Sequence, residues 1–381
     1  RAKAVLLATG GGPTMYRYHT PSGDKACDGL AMALRAGLAL RDMEMVQFHP
    51  TGLLAGRHTR MTGTVLEEGL RGSGGFLLGG NKERFMPAYD PKVERATRDV
   101  VARAMFTEMR KGNTTPHGGL YISMAHLGAE RVRREFKGMV ERCADCGFDL
   151  AGGLVEVVPT AHYMMGGVEF APDCASALPG LFVAGEDSGG VHGANRLGGN
   201  GVANSTVFGA VAGDHMAAWA RSQQFRQPDA RAVDAAIAGC ERAFAAPRGD
   251  LDALRERLHD TMWERVGILR DATGLAQALA ELDALHAELE HSGVGDSPRA
   301  FNLSWHDWLN LQSLIAVSRA ITQAARARQE SRGAHYREDF PQTGALESSA
   351  YTSIRGDGTV TMKAVAFTRV RPGQSLLKHA A

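Results

Sequence analysis

One stretch constrains this chain more than any other: His192-Gly193-Ala194-Asn195-Arg196-Leu197-Gly198-Gly199-Asn200-Gly201, just after Leu181-Phe182-Val183-Ala184-Gly185-Glu186-Asp187. The apolar run ending in glycine and two acids reads as a buried strand leaving its sheet at the carboxyl end. The glycine-rich turn at 198–201 lets backbone N–H groups come very close to a ligand. Small residues follow (Ala203, Ser205, Gly209, Ala210, Ala212, Gly213), so the next helix is expected to pack tightly. Its start would aim free N–H groups and a positive dipole end at an electron-rich ligand edge. Arg196, just before the turn, is a planar two-pronged donor suited to a carboxylate. Together these features point to a cofactor cradle with an anion site beside it.

Size and composition set the outer limits. The 381 residues allow two or three domains at about 100–200 residues each. With 44% hydrophobic and 22% charged residues, the chain can bury a real core. No apolar run approaches the roughly 20 residues of a membrane span, so no direct membrane insertion is expected. A net charge of +1 favours neither nucleic acid nor an anionic surface as partner. Cys143-Ala144-Asp145-Cys146 is a lone pair with no second pair at zinc spacing, so no metal site is expected.

The central motif, with Gly185-Glu186 ahead of it, resembles the flavoprotein subunits of succinate dehydrogenases and fumarate reductases, and the related L-aspartate oxidases. The same resemblance runs through further stretches in order along the chain. They are Asp42-Met43-Glu44-Met45-Val46-Gln47-Phe48-His49-Pro50-Thr51-Gly52, Glu68-Gly69-Leu70-Arg71-Gly72, Arg98-Asp99-Val100-Val101, Pro159-Thr160-Ala161-His162-Tyr163-Met164-Met165-Gly166-Gly167, and the charged run at 330–339. It implies an α/β protein: an FAD-binding Rossmann-like domain, here partial, interrupted by an α+β capping domain. A helical domain and a small C-terminal domain follow. The expected boundaries are 1–42 and 157–220 for the two parts of the FAD-binding domain, 43–156 for the cap, 221–332 for the helical domain and 333–381 for the last. The family's strand–GxGxxG–helix unit for the ADP half of FAD has no counterpart here. The resemblance therefore implies a carboxyl-terminal portion that lacks most of the first nucleotide-binding segment.

Local patterns fill in this outline. Residues 4–8 read as a buried strand and 9–13 as a loop, which in the family touches FAD at Thr9, Gly10 and Gly11. Asp28 stands where it would cap a helix over 30–38. Helical spacing is expected from 97 onward and over 127–143, then over 232–245, 250–266, 274–290 and 305–330. Leu254, Leu258, Met262 and Trp263 fit one apolar face. Residues 292–298 read as a loop, and the alternation at 359–370 as a β-hairpin or edge strand. The charged run at 330–339 suits domain packing and subunit contact equally.

Interconverting a saturated dicarboxylate and its alkene needs two pinned carboxylates, a proton donor facing the flavin across the substrate, and stabilisation of developing charge. A lone His is ordinarily structural, and an Arg opening a helix is ordinarily a solvated charge. Here the surrounding motifs shift both readings. By the resemblance, His162 and Arg196 hold one carboxylate and His49 lies at the other. Arg98 delivers the proton, and Glu68 with Arg71 relays protons to it from solvent. An arginine works as an acid only when desolvated and fed by a carboxylate. Glu186 is matched to the FAD ribose hydroxyls, and Asn200, Gly201 and Val202 to the flavin pyrimidine. Asp28 is matched to the cofactor as well. Glu67 stands where respiratory members have a substrate-binding Thr, and a carboxylate there would repel a dicarboxylate unless turned away or protonated.

The resemblance implies an FAD-dependent oxidoreductase acting on a C4 dicarboxylate, succinate or fumarate. It also implies an electron-transfer partner of the iron–sulfur type, with no nucleic acid. The expected location is cytoplasmic, peripheral to the inner membrane face through partner subunits. L-aspartate oxidation on the same scaffold is the first alternative, although Met164-Met165 and Leu197-Gly198-Gly199 look more like the succinate/fumarate side. A non-catalytic assembly subunit is the second, and the retained His49, Arg98, His162 and Arg196 argue against it.

Overall fold

A computed structural model of the chain describes residues 1–56, 59–295 and 298–374. Strand β1 (Val5–Leu7) leads through a glycine loop to helix α1 (Asp28–Arg35). Strands β2 (Leu40–Arg41) and β3 (Val46–Leu53) follow. Next come the one-turn helix α2 (Gly69–Gly72), strand β4 (Phe76–Leu78), helix α3 (Arg98–Arg110) and strand β5 (Leu120–Ser123). Two short helices, α4 (Ala129–Glu135) and α5 (Lys137–Ala144), precede the long strand β6 (Val155–Met164). The chain continues through β7 (Gly167–Val168), β8 (Leu181–Val183) and helix α6 (Asn200–Ser222). Helices α7 (Ala230–Glu241), α8 (Leu251–Arg265), α9 (Ala272–Glu290) and α10 (Leu303–Ala327) follow, then strands β9 (Ala350–Ile354) and β10 (Val360–Ala364).

Three sheets organise these elements. β1 and β8 form a parallel pair, Leu6 opposite Phe182. The order β3-β6-β5-β4 makes an antiparallel sheet, and β10-β9-β2-β7 a second one. Side chains on α8, α9 and α10 supply much of the largest core. On α9 the buried residues Leu275, Ala278, Leu282, Leu285 and Leu289 repeat every three or four positions, the spacing of one helix face. Each of these three helices starts at a side-chain cap: Asp250 accepts from Ala253 N, Asp271 from Gly274 N and Asn302 from Trp305 N. The helical layer meets the sheets through an aromatic cluster, in which the Trp263 ring meets Tyr18, Phe48 and Phe106 edge-on at 5.0, 6.1 and 5.6 Å.

A buried ionic network fastens the last helix to the strands. Arg328 is 1% exposed and bonds Glu44, 0% exposed, at 2.6 Å, with Glu330 at 3.0 Å and Asp42 at 3.5 Å. Thr352 Oγ1 donates to the other Glu44 oxygen at 2.6 Å. The charged run at 330–339 serves this packing within the chain: Arg337 is buried, pairs with Asp339 at 2.7 Å and donates to Ala325 O at 3.0 Å.

Several expectations need correction. The strand at 4–8 is not buried, since Val5 and Leu6 are exposed and only Leu7 is covered. Asp28 does not cap α1, because Cys27 occupies the cap position and no side chain closes that end. The helix expected over 127–143 breaks at Phe136, whose φ of −123° and ψ of 37° end α4 and begin α5. That break lets Val132, Phe136 and Cys143 reach one core. Helix α6 does not pack tightly, for only Asn204 and Ala212 are buried along it. Its covered stripe, around Phe208, Val211, Ala212, Met216 and Trp219, rests on Phe182 and Ala184. The other expected helices appear with limits moved by a few residues, and β9 pairs with β10 as a hairpin. The loop expected at 292–298 includes residues 296 and 297, and the domain expected at 333–381 includes 375–381; those residues lie outside the described ones. Among the described residues no helix is long and apolar enough to cross a membrane.

Breaking a buried pair strands a charge, which costs about 3–5 kcal/mol. Arg328→Leu, which leaves the buried Glu44 without its cation, is therefore expected to lower unfolding free energy by about that amount, measured by denaturant titration. A loss below about 1 kcal/mol, the worth of an exposed pair, would show that this network is not a fastening.

Candidate active site

The site is built where β3 and β6 lie side by side. On β3, Gln47 opposes Tyr163 and His49 opposes Thr160. The step from 47 to 49 on β3 thus faces a longer step from 160 to 163 on β6. The extra residue on β6 is His162. A second irregularity falls between His49 and Gly52, where Pro50 and Thr51 face a single residue of β6. Such bulges re-aim side chains. Here they bring the His49 and His162 rings to 5.5 Å between centroids.

His49 is fully buried, and its Nδ1 accepts from Thr51 N at 3.3 Å. His162 Nδ1 lies 2.9 Å from Thr20 Oγ1. Burial, then the cations around them, hold both rings below the ordinary imidazole value, His162 at about 4. Both are neutral at pH 7.

Arg196 belongs to the loop before α6 and is nearly buried. Its guanidinium lies over the Tyr163 ring at 4.3 Å, and its Nε has no hydrogen-bond partner. Gly201, in the first turn of α6, leaves room for this stack: a Cβ there would come within 2.9 Å of Tyr163 Cε2 and 3.4 Å of Arg196 Nη1.

Arg98 opens α3 and reaches across from the other side. Its Nη2 donates to Glu68 Oε2 at 2.8 Å. The other Glu68 oxygen accepts from Arg71 Nη2 at 3.2 Å. Arg71 is buried and fixed to Glu94 O at 2.7 Å, whereas the Glu68 side chain is 45% exposed. Burial pushes the Glu68 carboxyl up, but Arg98 and Arg71 outweigh it and hold it below its ordinary value. The three side chains thus form a charged chain that meets solvent at Glu68. Glu67 is exposed, and its side chain makes no hydrogen bond among the described residues.

Residues 1–202 match the family described as FAD binding domain, and residues 255–376 the one described as fumarate reductase flavoprotein C-term. One component of the CoM/CoB fumarate reductase of Methanothermobacter marburgensis is 40% identical over 350 residues, covering 90% of this chain and 62% of that protein. The fumarate reductase flavoprotein subunit of Mycobacterium tuberculosis is 35% identical over 400 residues, covering 98% of this chain and 68% of that protein. A solved mutant of E. coli quinol fumarate reductase FrdA superimposes with a TM-score of 0.88 at 33% identity, over 98% of this chain and 67% of that one. The chain belongs to the fumarate reductase/succinate dehydrogenase flavoprotein family. Its cofactor is FAD. The chain spans less than two thirds of the first relative's length.

The flavoprotein's own residues fit such a group. Parallel β1 and β8 end side by side, and ligands of α/β sheets bind outside the carboxyl ends of strands. Gly11 follows β1, and a Cβ there would overlap the Glu186 carboxylate. Asn204, buried below the first turn of α6, donates to Gly185 O at 2.9 Å and leaves its Oδ1 without a donor. Thr9 and Gly10 are held in place by Asp187, which accepts from Thr9 N and, at 3.1 Å, from Thr9 Oγ1. Asn200, Gly201 and Val202 form the first turn of α6, with Val202 exposed. Asp28 lies at the start of α1, close enough to Asp187 to add to the rise of its carboxyl. Glu186 turns inward and accepts from Met164 N at 2.8 Å and from the Gly11 backbone.

Sequence reasoning misses Asp187, Gln47, Tyr163 and Asn204. Asp187 carries a signal, as the second acid of the strand tip. The other three lie in or beside the motifs but have no charge to mark them. Cys143 and Cys146 stay apart from this site; burial pushes the Cys143 thiol up to about 12.

Burial lifts the Glu186 carboxyl from 4.5 to about 7, against the pull of its backbone donors. A raised folded-state value favours the protonated form, so this contribution is present below pH 4.5 and lost as pH rises through about 7. Glu186→Gln cannot ionise. Without added FAD, its unfolding free energy minus that of the parent is expected to climb across this window by up to roughly 3 kcal/mol. A difference independent of pH would show that Glu186 is not perturbed.

Proposed function

We propose that this chain carries the active centre of an FAD-dependent oxidoreductase that interconverts succinate and fumarate. The observation that carries the proposal is the Arg98–Glu68–Arg71 path ending beside His49, His162 and Arg196. Bound FAD supplies or accepts the hydride at the substrate C2–C3 bond. Residues around Gly11, Glu186, Asp187 and Asn200 to Asn204 would hold it.

The remaining work falls to side chains of the chain. Arg196 offers a two-pronged cation to one carboxylate, and its unpartnered Nε is a donor in waiting. His162 assists it, and His49 serves the second carboxylate; as neutral rings they donate without adding charge. In the reducing direction negative charge grows on the substrate carbon. Arg98 stabilises that charge and then gives its proton to the carbon. Glu68 returns a proton to Arg98, and Arg71 keeps Glu68 aligned. An iron–sulfur electron partner, and peripheral membrane association through it, rest on the relatives being subunits of such reductases.

Arg98→Gln keeps hydrogen bonding but cannot carry a proton. In the FAD-loaded protein, kcat for fumarate reduction by a reduced dye is expected to fall at least about 1,000-fold. Arg196→Lys replaces the fork with a point charge. It is expected to weaken binding of an unreactive dicarboxylate by about 1.5–3 kcal/mol, followed through the flavin spectrum. If Arg98→Gln only raised KM, Arg98 would be a binding residue and the proton source would lie elsewhere. Turnover of L-aspartate in place of fumarate would overturn the substrate assignment.

A further inference from the structure

The proton path and the carboxylate clamp belong to different parts of the chain, and one side chain touches both. Gln47 sits in the middle of the site on β3 and is 1% exposed. Its Oε1 accepts from Arg98 Nη1 at 3.0 Å. Its Nε2 donates to Arg196 O at 2.8 Å and lies 3.3 Å from Asn195 Oδ1. A guanidinium only donates and a carbonyl only accepts, so the amide has a single workable orientation. A second link runs parallel to it: Asn195 Nδ2 donates to Asp99 Oδ1 at 2.9 Å, and Asp99 is the neighbour of Arg98 on α3. The start of α3 and the loop at 195–196 are thereby tied at two points.

Resting on the function proposed above, we propose that Gln47 is a positioning residue that sets the acid, Arg98, in register with the carboxylate clamp, Arg196. The amide suits this role because it is neutral. Arg98 already has one carboxylate partner, Glu68, through which its proton is replaced. A second carboxylate at position 47 would bind the protonated guanidinium more tightly and oppose proton release. It would also face the Arg196 carbonyl with like partial charge. An amide fixes the geometry and adds neither effect. A protonated carboxyl would do the same as the amide, donating O–H to Arg196 O and accepting from Arg98.

That equivalence gives the test. In the FAD-loaded protein, Gln47→Leu is expected to lower kcat for fumarate reduction about 100-fold at every pH, since small misplacements of reacting groups cost that much. Gln47→Glu is expected to be similarly impaired at high pH and to recover kcat as pH falls and its new carboxyl protonates. The parent and Gln47→Leu should show no such recovery. Equal losses at all pH values for both variants would assign Gln47 a packing role only. Amide hydrogen exchange supplies a readout that does not depend on turnover. In Gln47→Leu, protection is expected to fall together at 98–102 and 194–198. Unchanged exchange in both segments would overturn the proposal. A parent protein that fails to reduce fumarate while these segments still loosen together would overturn the function and leave the link standing.

Discussion

The pairing of β3 with β6 is the constraint on which the site depends. A regular antiparallel ladder alternates its side chains strictly between two faces. Two irregularities in this ladder, one at His162 and one at Pro50–Thr51, break the alternation within a few residues. A slip of one residue along β3 would turn Gln47 and His49 toward the opposite face. All eight residues of β3 are buried, so the register is fixed by packing on both sides. Thr51 helps to hold it: its Oγ1 donates to Leu66 O at 2.8 Å while its backbone N–H meets His49. The aromatic contact of Phe48 with Trp263 then ties the same strand to the helical layer. The geometry of the candidate site is in this sense a by-product of core packing.

The electrostatic character of the site follows from which groups burial leaves charged. Arg71, Arg98 and Arg196 are guanidiniums, and Glu68 is the carboxylate that touches two of them. Both histidines are driven neutral by burial and by those same cations. What remains is a surplus of positive charge that a dianion offsets. Burial and the neighbouring Arg98 also pull Arg196 down from its ordinary value, a measure of how costly the uncompensated cluster is. Glu68 is a single carboxylate set against three guanidiniums, and its side chain is 45% exposed. A ligand with two carboxylates, the substrate class proposed above, would relieve a strain that the protein's own residues leave in place.

Much of the site was legible in the sequence because its parts are local motifs with chemical markers. His49, Glu68, Arg71, Arg98, His162 and Arg196 each sit in a short recognisable run, and the structure gathers them around one space. What was hidden depends on distant partners. No local pattern shows that Phe136 must leave the helical path so that it can be buried, or that Asp28 gives up the cap position to Cys27. The small residues of α6 suggested a packed helix, yet composition permits close approach without creating a neighbour. Gln47 is the clearest case. Its role rests on one contact 51 positions onward, to Arg98, and another 149 positions onward, to Arg196. A neutral amide inside an apolar strand carries no sign of either.

The proposed use of an arginine as the acid would make these long-range contacts necessary. A histidine or carboxylic acid can lose a proton without elaborate support, because its ordinary value lies near the working pH. Arginine cannot, so its surroundings must make the charged form expensive and keep a proton donor in contact with it. The Arg98 side chain is only 11% exposed. Glu68 touches Arg98 on the exposed side and bridges to the buried Arg71. These two conditions pull against each other: a fully dry site excludes the proton, and a wet one removes the penalty on the cation. The arrangement found here places Arg98 on the less exposed side of Glu68 and solvent on the other. The neutral contact from Gln47 fits the proposed role, since it restrains Arg98 without adding a second carboxylate beside it.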